Sequence, residues 1–184
     1  MQRSGKRSRK TTGKGLKPKT VKESVKNEKK VKVLNAYNAL RKRYKLPSFQ
    51  DLKTVFGIDK VEDFDVETLL KQLCEKVNDH LLEVEKLLVR VLQPDTDLIA
   101  MFDADVLTEQ DKDKVLKTLS KLVVLEKNCL KAKLLNNESL MSDCLSQSFQ
   151  FWLSEKDFVT SIIDKQVKAW KSKLEEKLDV DYLG

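Results

Sequence analysis

Glycine and proline are scarce, with 5 and 3 in 184 residues, and that shortage argues against turn-rich sheet architectures in favour of helices. Beyond Gly15 only Gly57 and Gly184 remain, so the glycine loops that cradle phosphates in Walker and Rossmann folds cannot be built. Histidine occurs once. His80 has no orienting neighbour except Asp79 or Glu83, which leaves nucleophilic catalysis without the constellation it needs. Cysteine pairs are missing as well: Cys74, Cys129 and Cys144 are odd in number, widely spaced and form no CxxC. Four-ligand zinc is thereby excluded, and free thiols in a reducing compartment are expected.

Long apolar runs are also lacking. No stretch of about 18 uninterrupted apolar residues occurs, and the start MQRSGKRSRK has no apolar segment of the kind a secretory signal carries. Gln2 departs from the myristoylation pattern, and the final DYLG holds no prenylation cysteine. These features lead us to expect a soluble intracellular protein, cytoplasmic or nuclear, with no membrane association. No active site, cofactor or metal site is assigned.

What is abundant is charge, and its distribution is uneven. The formal net charge is +7. Residues 1–45 hold 17 basic and 2 acidic side chains, a net +15, whereas residues 46–184 hold 19 and 27, a net −8. Residues 61–113 are the most acidic stretch, with 15 carboxylates against 5 basic groups. Residues 1–28 combine Lys, Arg, Ser, Thr and Gly with almost nothing apolar, and such a segment buries too little surface to offset its ordering entropy. The expectation is a disordered basic arm over 1–28 and a single helical-bundle domain over 29–184, all-α, with about five to six helices.

Hydrophobic spacing places the helices. Val33, Tyr37, Leu40 and Tyr44 fall in one arc of a first basic amphipathic helix at about 29–46, ended by Pro47. Ser48 with Asp51 reads as a capping box for a short helix over 49–56, and Gly57 as its left-handed stop. A long helix is expected from Asp65 to Leu92, with Val66, Leu69, Leu70, Leu73, Val77, Leu81, Val84, Leu88 and Val91 inward. Thr108 and Asp111 open another, whose inner stripe reads Val115, Leu119, Leu122, Val123, Leu130 and Leu134. Two more follow, one over about 138–153 and a last one capped by Ser154 with Asp157.

Asp95, Asp97, Asp103 and Asp105 form two DxD pairs, but an EF-hand loop needs a Gly and a terminal Glu that are absent at the right positions. Helix capping and a solvated acidic surface are the reading there. Arg90 is expected in a salt bridge.

The functional reading rests on the basic end. Lysine outnumbers arginine, 30 to 6, and lysine neutralises phosphate as a mobile point charge, whereas reading of guanine edges is arginine chemistry. The candidate contacts are Lys6, Arg7, Arg9, Lys10, Lys14, Lys17, Lys19, Arg41, Lys42, Arg43 and Lys45. A polybasic membrane tether would need a second apolar signal, and Leu16 and Val21 are poor anchors. Tyr37 and Tyr44 share the apolar arc and are expected to pack rather than stack on bases. The cluster Phe149, Phe151 and Trp152 is a candidate protein-interaction patch, with core packing against Trp170 as the competing account. Together these features predict a non-enzymatic, nucleic-acid- or ribonucleoprotein-associated helical adaptor. The alternative is a protein-interaction module whose basic tail serves as a localisation signal or electrostatic tether.

Overall fold

The computed structural model describes residues 18–94 and 97–181, with side chains described over 25–94 and 97–175. Six α-helices follow one another in chain order, and no strand occurs among the described residues: α1 (Pro18–Tyr44), α2 (Phe49–Phe56), α3 (Leu69–Leu92), α4 (Leu98–Asp105), α5 (Glu109–Leu134) and α6 (Glu138–Asp181). A single 3₁₀ turn, Val61–Asp63, separates α2 from α3. The all-α class expected from the glycine and proline shortage is what the chain adopts.

The bundle is built on α3, α5 and α6, each packed on the other two, with α4 against α3. Along α3 the buried residues Leu69, Leu70, Leu73, Cys74, Val77, Leu81, Val84, Leu88 and Val91 recur every three or four positions, so one stripe faces the core. The first helix rests mainly on the Val61–Asp63 turn and also touches α2, α3 and α6. Its anchors are Val33 and Tyr37, both fully buried.

Both expected capping boxes form. Ser48 Oγ accepts the Asp51 N–H at 3.0 Å while Asp51 Oδ2 accepts the Ser48 N–H at 3.2 Å, and Thr108 and Asp111 repeat the exchange at 3.2 and 3.1 Å. Each closes two amide groups that a helix start otherwise leaves unpaired. Gly57 takes φ 63°, the left-handed stop, at the end of α2.

Four features, three of them helix boundaries, differ from the spacing-based expectation. The first helix begins at Pro18 rather than near 29, so residues 18–28, assigned above to the arm, are helical. Lysine and glutamate have good helix propensity, and proline suits the first helical position, where no amide hydrogen bond is required. Residues 1–17, the rest of the expected disordered arm, lie outside the described residues. Second, α3 starts at Leu69, not Asp65. The Asp65 amide donates to Gln72 Oε1 at 2.8 Å, Phe64 takes the buried place, and Val66 is 48% exposed.

Third, α5 keeps Val115 and Leu122 inward as expected but completes the stripe with other residues. Val115, Thr118, Leu122, Leu125, Cys129 and Ala132 are buried, while Leu130 and Leu134 are 51% and 78% exposed. Fourth, the two expected C-terminal helices are one continuous 44-residue helix. Ser154 does not cap; its hydroxyl bonds back to the Phe151 carbonyl at 2.8 Å, a contact a helix interior tolerates at small cost. Glu155 beside it is buried, accepting from Thr118 Oγ1 at 3.0 Å and Lys121 Nζ at 2.9 Å. Burial alone would push its carboxyl up, but these α5 donors outweigh that and hold it below the usual glutamate value. Continuity through residue 154 is what places Glu155 on the α5-facing side.

The junction between α1 and the bundle depends on one phenol. Tyr37 donates to the Pro47 carbonyl at 2.8 Å and meets the Phe49 ring edge-on at 5.1 Å between centroids. Tyr37→Phe keeps the ring packing and removes the hydrogen bond, so a loss of about 1 kcal/mol in unfolding free energy is expected in a denaturant titration.

Candidate nucleic-acid interface

Of the basic residues singled out, Lys6, Arg7, Arg9, Lys10, Lys14 and Lys17 lie outside the described residues, and Lys19 belongs to the first turn of α1 with its side chain outside them. Arg41, Lys42 and Arg43 occupy the last turn of α1, and Lys45 follows in a left-handed conformation, φ 56°. Cations are favoured there, where the unpaired carbonyls of a helix end carry partial negative charge.

Three of these four converge. Arg41, Lys42 and Lys45, with Asn38 and Leu46, line one hollow of about 480 Å³ that contains no carboxylate. All three cations are exposed, and none enters an ion pair among the described residues. Arg43 points elsewhere: its guanidinium stacks over the Tyr44 ring at 4.9 Å and reaches Glu138 at 3.5 Å. Further along α1, Lys26, Lys29, Lys30 and Lys32 are exposed, with Lys29 3.6 Å from Asp65. Asn38, an amide donor on the same face as Arg41 and Lys42, was not singled out from sequence. Its signal was the spacing 38, 41, 42, 45, one helical face read by period rather than by charge.

Neither tyrosine of α1 offers a free ring. Tyr37 is fully buried, and burial raises its phenol well above the ordinary range, so it remains a donor to Pro47. Tyr44 is half-buried and donates to Glu138 at 3.1 Å; desolvation and this bond raise its pKa. The packing expected of both is observed.

A second hollow, about 450 Å³, lies between the α2–α3 connection and α3, and its charge is opposite: Asp59, Asp63, Glu75 and Asp79 against Lys60 and Lys76. Its net charge is therefore opposite in sign to that of the hollow on α1.

The aromatic patch is largely packed inside the bundle. Phe149 is buried and lies edge-on to Phe56 at 6.5 Å. Trp152 meets the His80 ring at 4.9 Å, and Phe151 is half-buried against the core. Trp170 does not join them, because 18 residues of continuous helix separate the two tryptophans by about 27 Å along the axis. It pairs instead with Phe102 at 4.5 Å and donates to Asp103 Oδ1 at 2.8 Å.

His80 sits between Phe56 and Trp152. Burial lowers its pKa, and Nε2 has no hydrogen-bond partner among the described residues. The three cysteines are free and buried; burial pushes the Cys74 thiol up to about 12. No group of three or more His, Cys, Asp or Glu with metal-binding geometry occurs among the described residues. Asp97 serves as the N-cap of α4, accepting the Ile99 amide at 3.0 Å, and pairs with Arg90 at 3.0 Å. No described helix is long and apolar enough to cross a membrane.

The class defined by these features is an all-α bundle led by a long cationic helix. Comparison with protein-family models, with curated proteins and with solved structures finds no match to the chain.

Proposed function

We propose that this protein is a non-enzymatic helical adaptor that associates with nucleic acid or ribonucleoprotein through phosphate contacts made by its basic N-terminal residues and α1. The observation carrying this reading is the carboxylate-free cluster Arg41, Lys42 and Lys45, continuous in sequence with a leader that brings residues 1–45 to a net +15. Cations left without protein partners keep their full attraction for phosphate, whereas paired ones must first give up a carboxylate.

Fluorescence anisotropy with a labelled 20-base-pair duplex, titrated between 50 and 200 mM salt, tests it. With about six phosphates engaged, the log–log slope of affinity against salt is expected near −5. A flat response, or no binding at 50 mM, rejects the proposal.

The alternative, a protein-interaction module whose basic leader is an address or tether, is favoured by one feature of the body. Leu98, Ile99 and Met101 on α4 are 80%, 53% and 46% exposed, an apolar surface of the kind that partners cover. Removing residues 1–17, which leaves α1 whole, separates the two readings. Nucleic-acid affinity falls steeply under the first, and protein partners are retained with no nucleic-acid binding at any stage under the second.

A further inference from the structure

We infer that α1 docks on base-paired nucleic acid, and that the hollow lined by Asn38, Arg41, Lys42 and Lys45 seats its backbone phosphates. This inference rests on the phosphate-binding reading above and adds the class of ligand.

Two observations carry it. The first is chemical. Proteins that hold unpaired strands combine a cationic groove with aromatic faces on which successive bases stack, and that stacking contributes about 1–3 kcal/mol per base. On α1 both aromatic residues are committed: Tyr37 is sealed in the core with its hydroxyl on Pro47, and Tyr44 is covered by Arg43 and tied to Glu138. An unpaired strand therefore meets charge without stacking. A duplex keeps its bases stacked on one another and asks only for phosphate neutralisation, at a higher charge density.

The second is geometric. Residues 38 to 45 cover about 10 Å of helix axis, and each strand of a duplex presents one phosphate for every 3.4 Å or so of the duplex axis. Several phosphates thus face the three cations together, and Asn38 adds a neutral donor at the same surface. Leu46, which also lines the hollow, is buried and presents no ring to insert between bases. Contact is confined to the backbone, and sequence discrimination is expected to be weak.

The test uses the full chain and three probes: a 20-base-pair RNA duplex, a 20-base-pair DNA duplex and an unstructured 20-nucleotide uridine strand. Both duplexes are expected to bind at least tenfold more tightly than the uridine strand at 100 mM salt; the ratio between the duplexes shows whether the helical form matters. The variant R41Q/K42Q/K45Q is expected to lose about tenfold or more in duplex affinity and to flatten the salt slope by about 2 to 3. Its control, K117Q/K127Q/K131Q, makes the same change in net charge with exposed lysines of α5 and is expected to alter binding by less than threefold. Circular dichroism and thermal melts confirm that both variants stay folded.

Uridine-strand binding equal to duplex binding overturns the inference. So does a control variant that loses as much as the test variant, or a test variant that loses nothing. In each of those cases the parent chain still binds nucleic acid and the broader phosphate-binding proposal stands. Failure of the parent chain to bind any of the three probes removes both.

Discussion

Leu122→Ala is expected to lower the unfolding free energy by about 3 to 4 kcal/mol, while Leu134→Ala, twelve residues along the same helix, changes it by less than about 0.5 kcal/mol. Leu122 is fully buried at the centre of α5, the helix that packs on both α3 and α6. Truncating it removes its transfer free energy and leaves a cavity that two flanking helices cannot both collapse to fill. Leu134 is 78% exposed in the last turn of α5, so its truncation returns almost nothing to water. Urea titration of the two variants checks the pair. Similar losses for both would show that the inward stripe of α5 is the one drawn from leucines rather than the one observed.

That pair marks where the sequence is ambiguous. Along α5 the inward positions 115, 118, 122, 125, 129 and 132 follow a regular three-and-four spacing, but Thr118, Cys129 and Ala132 are small or polar, and Leu130 and Leu134 advertise a neighbouring stripe more loudly. Small residues let α5 approach its neighbours closely, and that information resides in the partner helices rather than in α5 itself. By contrast α3 repeats Leu and Val along one stripe from end to end, and its buried set matches that pattern except that Val66 is exposed and Cys74 is added. The capping boxes at Ser48 and Thr108 were legible because they are local, each closing within three residues. The apparent cap at Ser154 failed for the complementary reason. Its local motif competes with a 44-residue helix that keeps Glu155 on Thr118 and Lys121, and those partners lie more than thirty residues away in sequence.

At the candidate interface, composition located the charge but not its partition. Arg41, Lys42, Arg43 and Lys45 look alike in sequence; only the fold, by bringing Glu138 of α6 beside Tyr44, diverts Arg43 and leaves the other three together. The near-absence of apolar residues over 1–28 predicts an unstructured leader, but that argument concerns packing. Helical propensity is a separate quantity, and α1 extends over residues 18–32 before Val33, the first buried side chain among those described.

A carboxyl pair between α3 and α5 supplies the second large effect: Glu126→Gln is expected to stabilise the protein by about 2 kcal/mol at pH 8 and to do little below pH 4.5. Burial, and then the hydrogen bond and charge of Glu85, push the Glu126 carboxyl up from the ordinary 4.5 to about 7. One of its oxygens, Oε1, is buried without a hydrogen-bond partner. Between these two values the folded chain binds more protons than the unfolded chain, so stability declines as pH rises through that window, and the cost is fully present above about pH 7. Each unit of displacement corresponds to about 1.4 kcal/mol; partial solvation of the pair, with Lys127 nearby, reduces the total to about 2 kcal/mol. Glutamine preserves the shape and the bond to Glu85 while remaining neutral, so it removes the charge at every pH. Urea midpoints measured from pH 4 to pH 8 would show the parent losing stability across the window relative to the variant. Two parallel profiles would mean that Glu126 ionises freely against Glu85, and that this contact carries no strain at neutral pH.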